Sequence, residues 1–103
     1  MKLYQLYEVT WIDSANHAIG WEDGTDIGTK VATIVSVGFL WAKNKKAITL
    51  VQNVCTKGPG SPSGCNAISI PKGCIKSTRK LKASVEAWVH PEETYEAHIH
   101  RPA

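Results

Sequence analysis

Lys72, Lys76, Arg79 and Lys80 fall within one short run, and Lys45 and Lys46 close a second, Lys43-Asn44-Lys45-Lys46. Cationic groups at this density attract phosphates through their summed field and through charge-assisted hydrogen bonds. Trp21 and Trp88 lie in segments of loop or tail composition, where an indole can stack on a base at ~1–3 kcal/mol per base. These eight residues form the candidate ligand-binding set, for an anionic small molecule such as a nucleotide or for nucleic acid. A solvated basic face is the plain alternative for the lysines, and a subunit interface for the tryptophans. Trp11 and Trp41 end strongly apolar runs and are assigned to packing.

The charge distribution sharpens the expectation. The 103 residues carry a net charge of +3, but residues 28–82 hold ten basic groups and no carboxylate. Residues 1–27 are net −4 and residues 83–103 net −3. Such segregation predicts one cationic surface, flanked or paired by acidic segments.

Little in the chain points to a reaction. There is no Gly-x-Ser-x-Gly, no His-Glu-x-x-His and no Cys/His pair at a catalytic spacing. Gly58 to Gly64 is glycine-rich, yet no Gly-Lys-Ser/Thr ends it, so it is not a P-loop. His98 and His100 would share a face of an extended tail, with His90 nearby, but no zinc spacing joins them to Cys55, Cys65 or Cys74. Asp13, Glu22, Asp23 and Asp26 make an acidic loop that could hold a divalent ion, and a solvated loop is the simpler reading. No catalytic residue, metal or cofactor is therefore assigned, and a non-enzymatic protein is expected. A metal-dependent hydrolase using that loop or the tail histidines is a third class. The odd cysteine count, the lack of Cys-x-x-Cys and the lack of an apolar segment after Met1 predict a reduced, cytoplasmic protein. A Cys55–Cys65 bridge is possible on oxidation. No apolar run approaches the ~18 residues that span a bilayer, so no membrane partner is expected.

The elements that must position these groups read as strands. Leu3–Ile12 and Val31–Trp41 are rich in β-branched and aromatic residues. Gly38 inside the second predicts a bulge or sharp bend. Ala42–Lys46 predicts a hairpin turn, with Asn44 able to take positive φ, and Ala47–Val54 the return strand. Lys57–Gly64 has the composition of a flexible connection, Ala67–Ile70 is a short strand, and Pro71–Cys74 a tight turn with 3₁₀ character. Ile75–Leu81 alternates as a fifth strand. Residues 83–90 suit a sixth strand or a short helix, with His90-Pro91-Glu92-Glu93 as a helix start or turn.

The sum is an all-β chain: a small five- to six-stranded SH3-like or Sm-like barrel over residues 1–82, with a C-terminal arm at 83–103. Exposed edge strands at the mouth of so small a barrel predict a homo-oligomer.

Particular residues carry a resemblance. Val35-Ser36-Val37-Gly38-Phe39-Leu40, Ala47-Ile48-Thr49-Leu50-Val51, and Ile68-Ser69-Ile70-Pro71-Lys72 with Ile75-Lys76-Ser77 and Leu81 form one set. Val9-Thr10-Trp11-Ile12-Asp13-Ser14 and Gly20-Trp21 fit the same pattern. Over residues 5–82 the chain resembles a family of small proteins in phage and prophage genomes that has no assigned activity. The resemblance implies a phage origin, and hence the host cytoplasm, and carries over no catalytic residue. With the charge pattern it leads to an expected role: sequestering a phosphate-bearing ligand, including a host immune signalling nucleotide, in a basic site between subunits. RNA or DNA binding is the alternative, as is a protein-interaction module that meets an acidic partner. The tail at 83–103 departs from the shorter family members.

Overall fold

The computed structural model describes residues 1–15, 21, 24 and 28–88. The chain is all-β. Five strands, β1 (Lys2–Ser14), β2 (Val31–Lys43), β3 (Ala47–Cys55), β4 (Ser63–Pro71) and β5 (Ile75–Ala87), form one antiparallel sheet in the order β4-β3-β2-β1-β5. A three-residue 3₁₀ turn, Lys72–Cys74, links β4 to β5. No helix among the described residues is long and apolar enough to cross a membrane.

That short link dictates curvature. It joins the two edge strands of the sheet. Four strand spacings would set those edges roughly 19 Å apart if the sheet were flat, and three residues of 3₁₀ helix advance only ~6 Å. The sheet must roll. A second tie holds the end of β5 to the β3–β4 connection: the Trp88 amide, just past β5, donates to the Thr56 carbonyl, just past β3, at 2.7 Å. No ladder joins β4 to β5 among the described residues, so the rolled sheet is open.

Two features permit the roll. At Gly38 the added Cβ of any other residue would lie 2.9 Å from the Val51 carbonyl oxygen and 3.0 Å from the Leu50 Cβ. Glycine therefore lets β3 cross close over β2, where the sequence places a bend. The ladder slips two residues later, between Leu40 and Ala42, leaving Trp41 as the bulge residue. Its ring stacks on buried Tyr4, centroids 4.6 Å apart and planes 8° from parallel. The main core lies on the concave face, where Val9, Leu50 and Ile70 are fully buried and Tyr7, Trp11, Leu40, Ile48 and Ile75 pack around them.

The turns form partly as the sequence suggests. The β2–β3 turn falls at Asn44, but that residue does not take positive φ. Its side chain does the work instead: Oδ1 accepts from the Lys46 and Ala47 amides at 2.8 and 2.9 Å, an Asx arrangement open to asparagine at ordinary φ. The one described non-glycine residue with positive φ is Asn66, at 57°, inside β4. Residues 57–62, a flexible connection by composition, are tied down. Ser61 is buried, and its hydroxyl donates to the Trp88 carbonyl at 2.9 Å. β5 continues without a break through residue 82 to Ala87, so residues 83–87 extend the fifth strand rather than forming a sixth element. The rest of the expected arm, 89–103, lies outside the described residues, as do His17, Glu22, Asp23 and Asp26.

Candidate functional site: the concave face and its lysine rim

Antiparallel register fixes which side chains share a face, because directly paired residues project the same way. Tyr7 pairs with Gly38 on one side and Lys80 on the other, and Val9 pairs with Thr78. Lys80, Thr78 and Tyr7 thus share the concave face with core residue Val9. Tyr7, Val9, Leu40, Lys43, Ile48 and Thr78 line a hollow of about 150 Å³ there. It has an apolar floor, a phenol and a hydroxyl in the wall, and an ammonium at the rim.

Arg79 behaves differently. It pairs with Glu8, one residue out of phase, and so lies on the opposite face. Its Nη2 donates to Glu8 Oε2 at 2.9 Å, and most of its side chain is exposed. The short basic run therefore does not converge: Lys80 and Arg79 occupy opposite faces. Lys76 is exposed near the start of β5. Lys72 joins the other basic run, since its amide donates to the Lys46 carbonyl at 2.8 Å and lays the 3₁₀ turn on the β2–β3 hairpin. Lys45, Lys46 and Lys72 make one basic end, outside the hollow.

A third basic feature arises from a bulge. Between the pairs Gln5–Ser84 and Tyr7–Lys80, β1 has one residue and β5 has three. The unpaired carbonyls of Leu81 and Ala83 accept from Gln5 Nε2, which fills the gap. Gln5, Lys80, Leu81 and Lys82 line a shallow depression of about 320 Å³ beside it.

The tryptophans separate as well. Trp21 is fully exposed and Trp88 about half exposed, with its backbone amide and carbonyl both engaged. Trp11 is partly buried, its Nε1 donating to Ser36 Oγ at 3.0 Å. Neither Trp21 nor Trp88 lines a described hollow; the aromatic ring in the concave hollow is that of Tyr7. Tyr7 and Thr78 carry no local signal in the sequence, and Lys43 figures there only as a member of the second basic run, outside the candidate set. The signal that could have found them is the pairing register, which brings residues from three strands onto one face.

All three cysteines are free, Cys55 and Cys65 exposed and Cys74 half-buried. Among the described residues no three His, Cys, Asp or Glu side chains gather as a metal site. Comparison with protein-family models, with curated proteins and with solved structures finds no match to this chain.

Proposed function

We propose that the protein is a non-enzymatic, SH3-like small-barrel binding protein that holds a phosphate-bearing anion, foremost a nucleotide, on its concave face. The observation that supports this reading is Tyr7, which faces the hollow with Lys43 at its rim and Lys80 paired beside it. A phenol ring offers a stacking surface, Thr78 a hydroxyl, and the two ammonium groups charge-assisted bonds to phosphate. The barrel reading draws on the rolled sheet, whose edge strands are joined by the 3₁₀ turn and whose β5 end is tied at Trp88 to the β3–β4 connection. The resemblance of residues 5–82 to phage proteins supports sequestration as the mechanism and the host cytoplasm as the place, with a host immune signalling nucleotide as the cargo.

The hollow's size constrains the mode of binding. At about 150 Å³ it is half the ~300 Å³ at the lower end of ligand pockets. One chain seats part of a nucleotide, and a homo-oligomer supplies the remaining wall. A second reading, RNA or DNA binding, is favoured by one arrangement. Lys45, Lys46 and Lys72 form a basic end outside the hollow, and Lys76 and Lys82 are exposed along β5. An extended polyanion could follow that track.

Thermal unfolding against a panel of mono-, di- and cyclic nucleotides, with gel retardation of oligonucleotides in parallel, tests both. A bound nucleotide raises Tm as the logarithm of its concentration over Kd. K43A/K80A abolishes that rise, while K45A/K46A leaves it. Nucleic-acid binding shows the reverse pattern and falls steeply with salt. If neither shift nor retardation occurs, the ligand reading is lost and a module for an acidic protein partner takes its place.

A further inference from the structure

β2 has two neighbours over only part of its length. Among the described residues Phe39–Lys43 pairs with β3, but Val31–Val37 pairs with β1 alone. Beyond Gly38 the β3–β4 hairpin diverges from β2. Val35, Ser36 and Val37 on one side, and Gln52, Asn66, Ala67 and Ile68 on the other, line the wedge between them, a hollow of about 480 Å³. Among the described residues nothing pairs with this edge of β2, and the valines beside it are exposed: Val31 and Val35 at 57% and Val37 at 49%.

Natural edge strands are usually guarded by lysine, proline or an inward-pointing charge. This edge has none. From Val31 to Ala42 there is no charged residue and no proline, in a segment of the chain dense with lysines. An edge left so uncharged, while its surroundings are cationic, suits a partner strand that is itself neutral.

We infer that this edge pairs with the same edge of a second copy, antiparallel and about a two-fold axis at Ile34. The sequence Val31-Ala32-Thr33-Ile34-Val35-Ser36-Val37 is near-palindromic in size and branching. Turned about Ile34, Val31 meets Val37 of the second copy, Ala32 meets Ser36, and Thr33 meets Val35. Small residues oppose small ones and β-branched residues oppose β-branched ones, the pairs that favour antiparallel ladders. No like charges oppose each other along this stretch. An isologous contact of this kind closes at two copies, which an unguarded edge needs if it is not to propagate. The seven-residue edge is ~23 Å long. A specific interface needs ~1,000 Å² in total, so the pairing draws on the wedge walls, Gln52, Asn66, Ala67 and Ile68, as well as on the edge itself. The interface does not depend on any ligand.

Sedimentation equilibrium across a concentration series tests the pairing. The natural chain is expected to reach at least the mass of two chains. T33K/V35K, which sets lysine against lysine across the axis, is expected to halve the assembly while far-UV circular dichroism stays unchanged. A natural chain that remains a monomer at 100 μM overturns the inference and leaves the edge to a foreign strand. A folded T33K/V35K that assembles normally overturns it too. Should the double variant fail to fold, I34C in a C55S/C65S background decides: under mild oxidation it gives a reducible two-chain band that C55S/C65S, oxidised alongside, does not. Absence of that band counts against the pairing.

Discussion

Val9 and Val35 belong to the same β1–β2 hairpin, yet one is fully buried and the other more than half exposed. The hairpin keeps a continuous register from Leu6–Phe39 to Ser14–Val31. β3 crosses over β2 at Gly38 and β5 flanks β1; Leu50 and Ile70 pack on Val9, and the Tyr4–Trp41 stack forms a separate contact. Beyond Gly38 the same hairpin becomes an arm in which, among the described residues, β2 has no second neighbour. Residue type does not distinguish the two regions, since both are β-branched and apolar. What distinguishes them is the face: Val9 pairs with Ser36 on the concave side, where Leu50 and Ile70 pack on it, while Val35 pairs with Thr10 one step along and points to the outer side, where it stays exposed.

Truncation should expose this contrast most strongly. Leu50→Ala removes a side chain packed against Val9 and Ile70 and is expected to cost ~2–5 kcal/mol in urea unfolding. Val35→Ala, measured at dilution where copies are apart, is expected to cost under ~1 kcal/mol. Equal losses at the two sites would erase the distinction between the two faces. The crossing itself comes next. Gly38→Ala forces a methyl group against the β3 backbone and should cost ~1–3 kcal/mol. Gly28→Ala meets nothing within 4 Å and should be close to neutral. A neutral Gly38→Ala would mean that β3 does not press on β2 there.

A smaller effect is expected where the end of β5 is tied to the β3–β4 connection. Ser61 is the one buried polar residue described, and its hydroxyl bonds the Trp88 carbonyl. Ser61→Ala leaves that carbonyl without its partner and should cost ~1–2 kcal/mol. Faster hydrogen exchange at the Trp88 amide, which Thr56 accepts, is the local readout. Unchanged exchange would show that the loop is not held by this bond.

The same contrast explains what the sequence discloses. Strand identities and the Asn-Lys-Lys turn are legible because they act locally; Gly38 reads as a bulge or bend, whereas the bulge falls at Trp41 and Gly38 serves the close approach of β3. Asn44 was placed correctly in its turn, but by side-chain capping rather than by left-handed backbone. The basic site was legible only as composition. Lys80 and Arg79 are neighbours in sequence, and a strand sends neighbours to opposite faces. Tyr7, Lys43 and Thr78 meet through long-range register, which no local pattern carries. The Lys57–Gly64 segment looked free because glycine and proline describe the unfolded chain's options. They do not report the buried bond that Ser61 makes.

The smallest stability effect is expected on the outer face, where Glu8 and Arg79 sit in the row that continues to Val37, Val35 and Val31. With the Arg79 side chain 68% exposed, Arg79→Ala should cost no more than ~0.5 kcal/mol, and that loss should vanish in molar salt. Ligand binding then separates the two faces. Arg79 is held by Glu8 on the side away from Tyr7, so Arg79→Ala should leave nucleotide affinity within about twofold. Lys80→Ala, one residue on, should lower it about tenfold, the ~1.4 kcal/mol expected of one charge-assisted contact to phosphate. Calorimetric titration of both variants reads the difference directly. If Arg79→Ala proves the more damaging, the ligand lies on the outer face beside the arm, and the concave hollow is packing space.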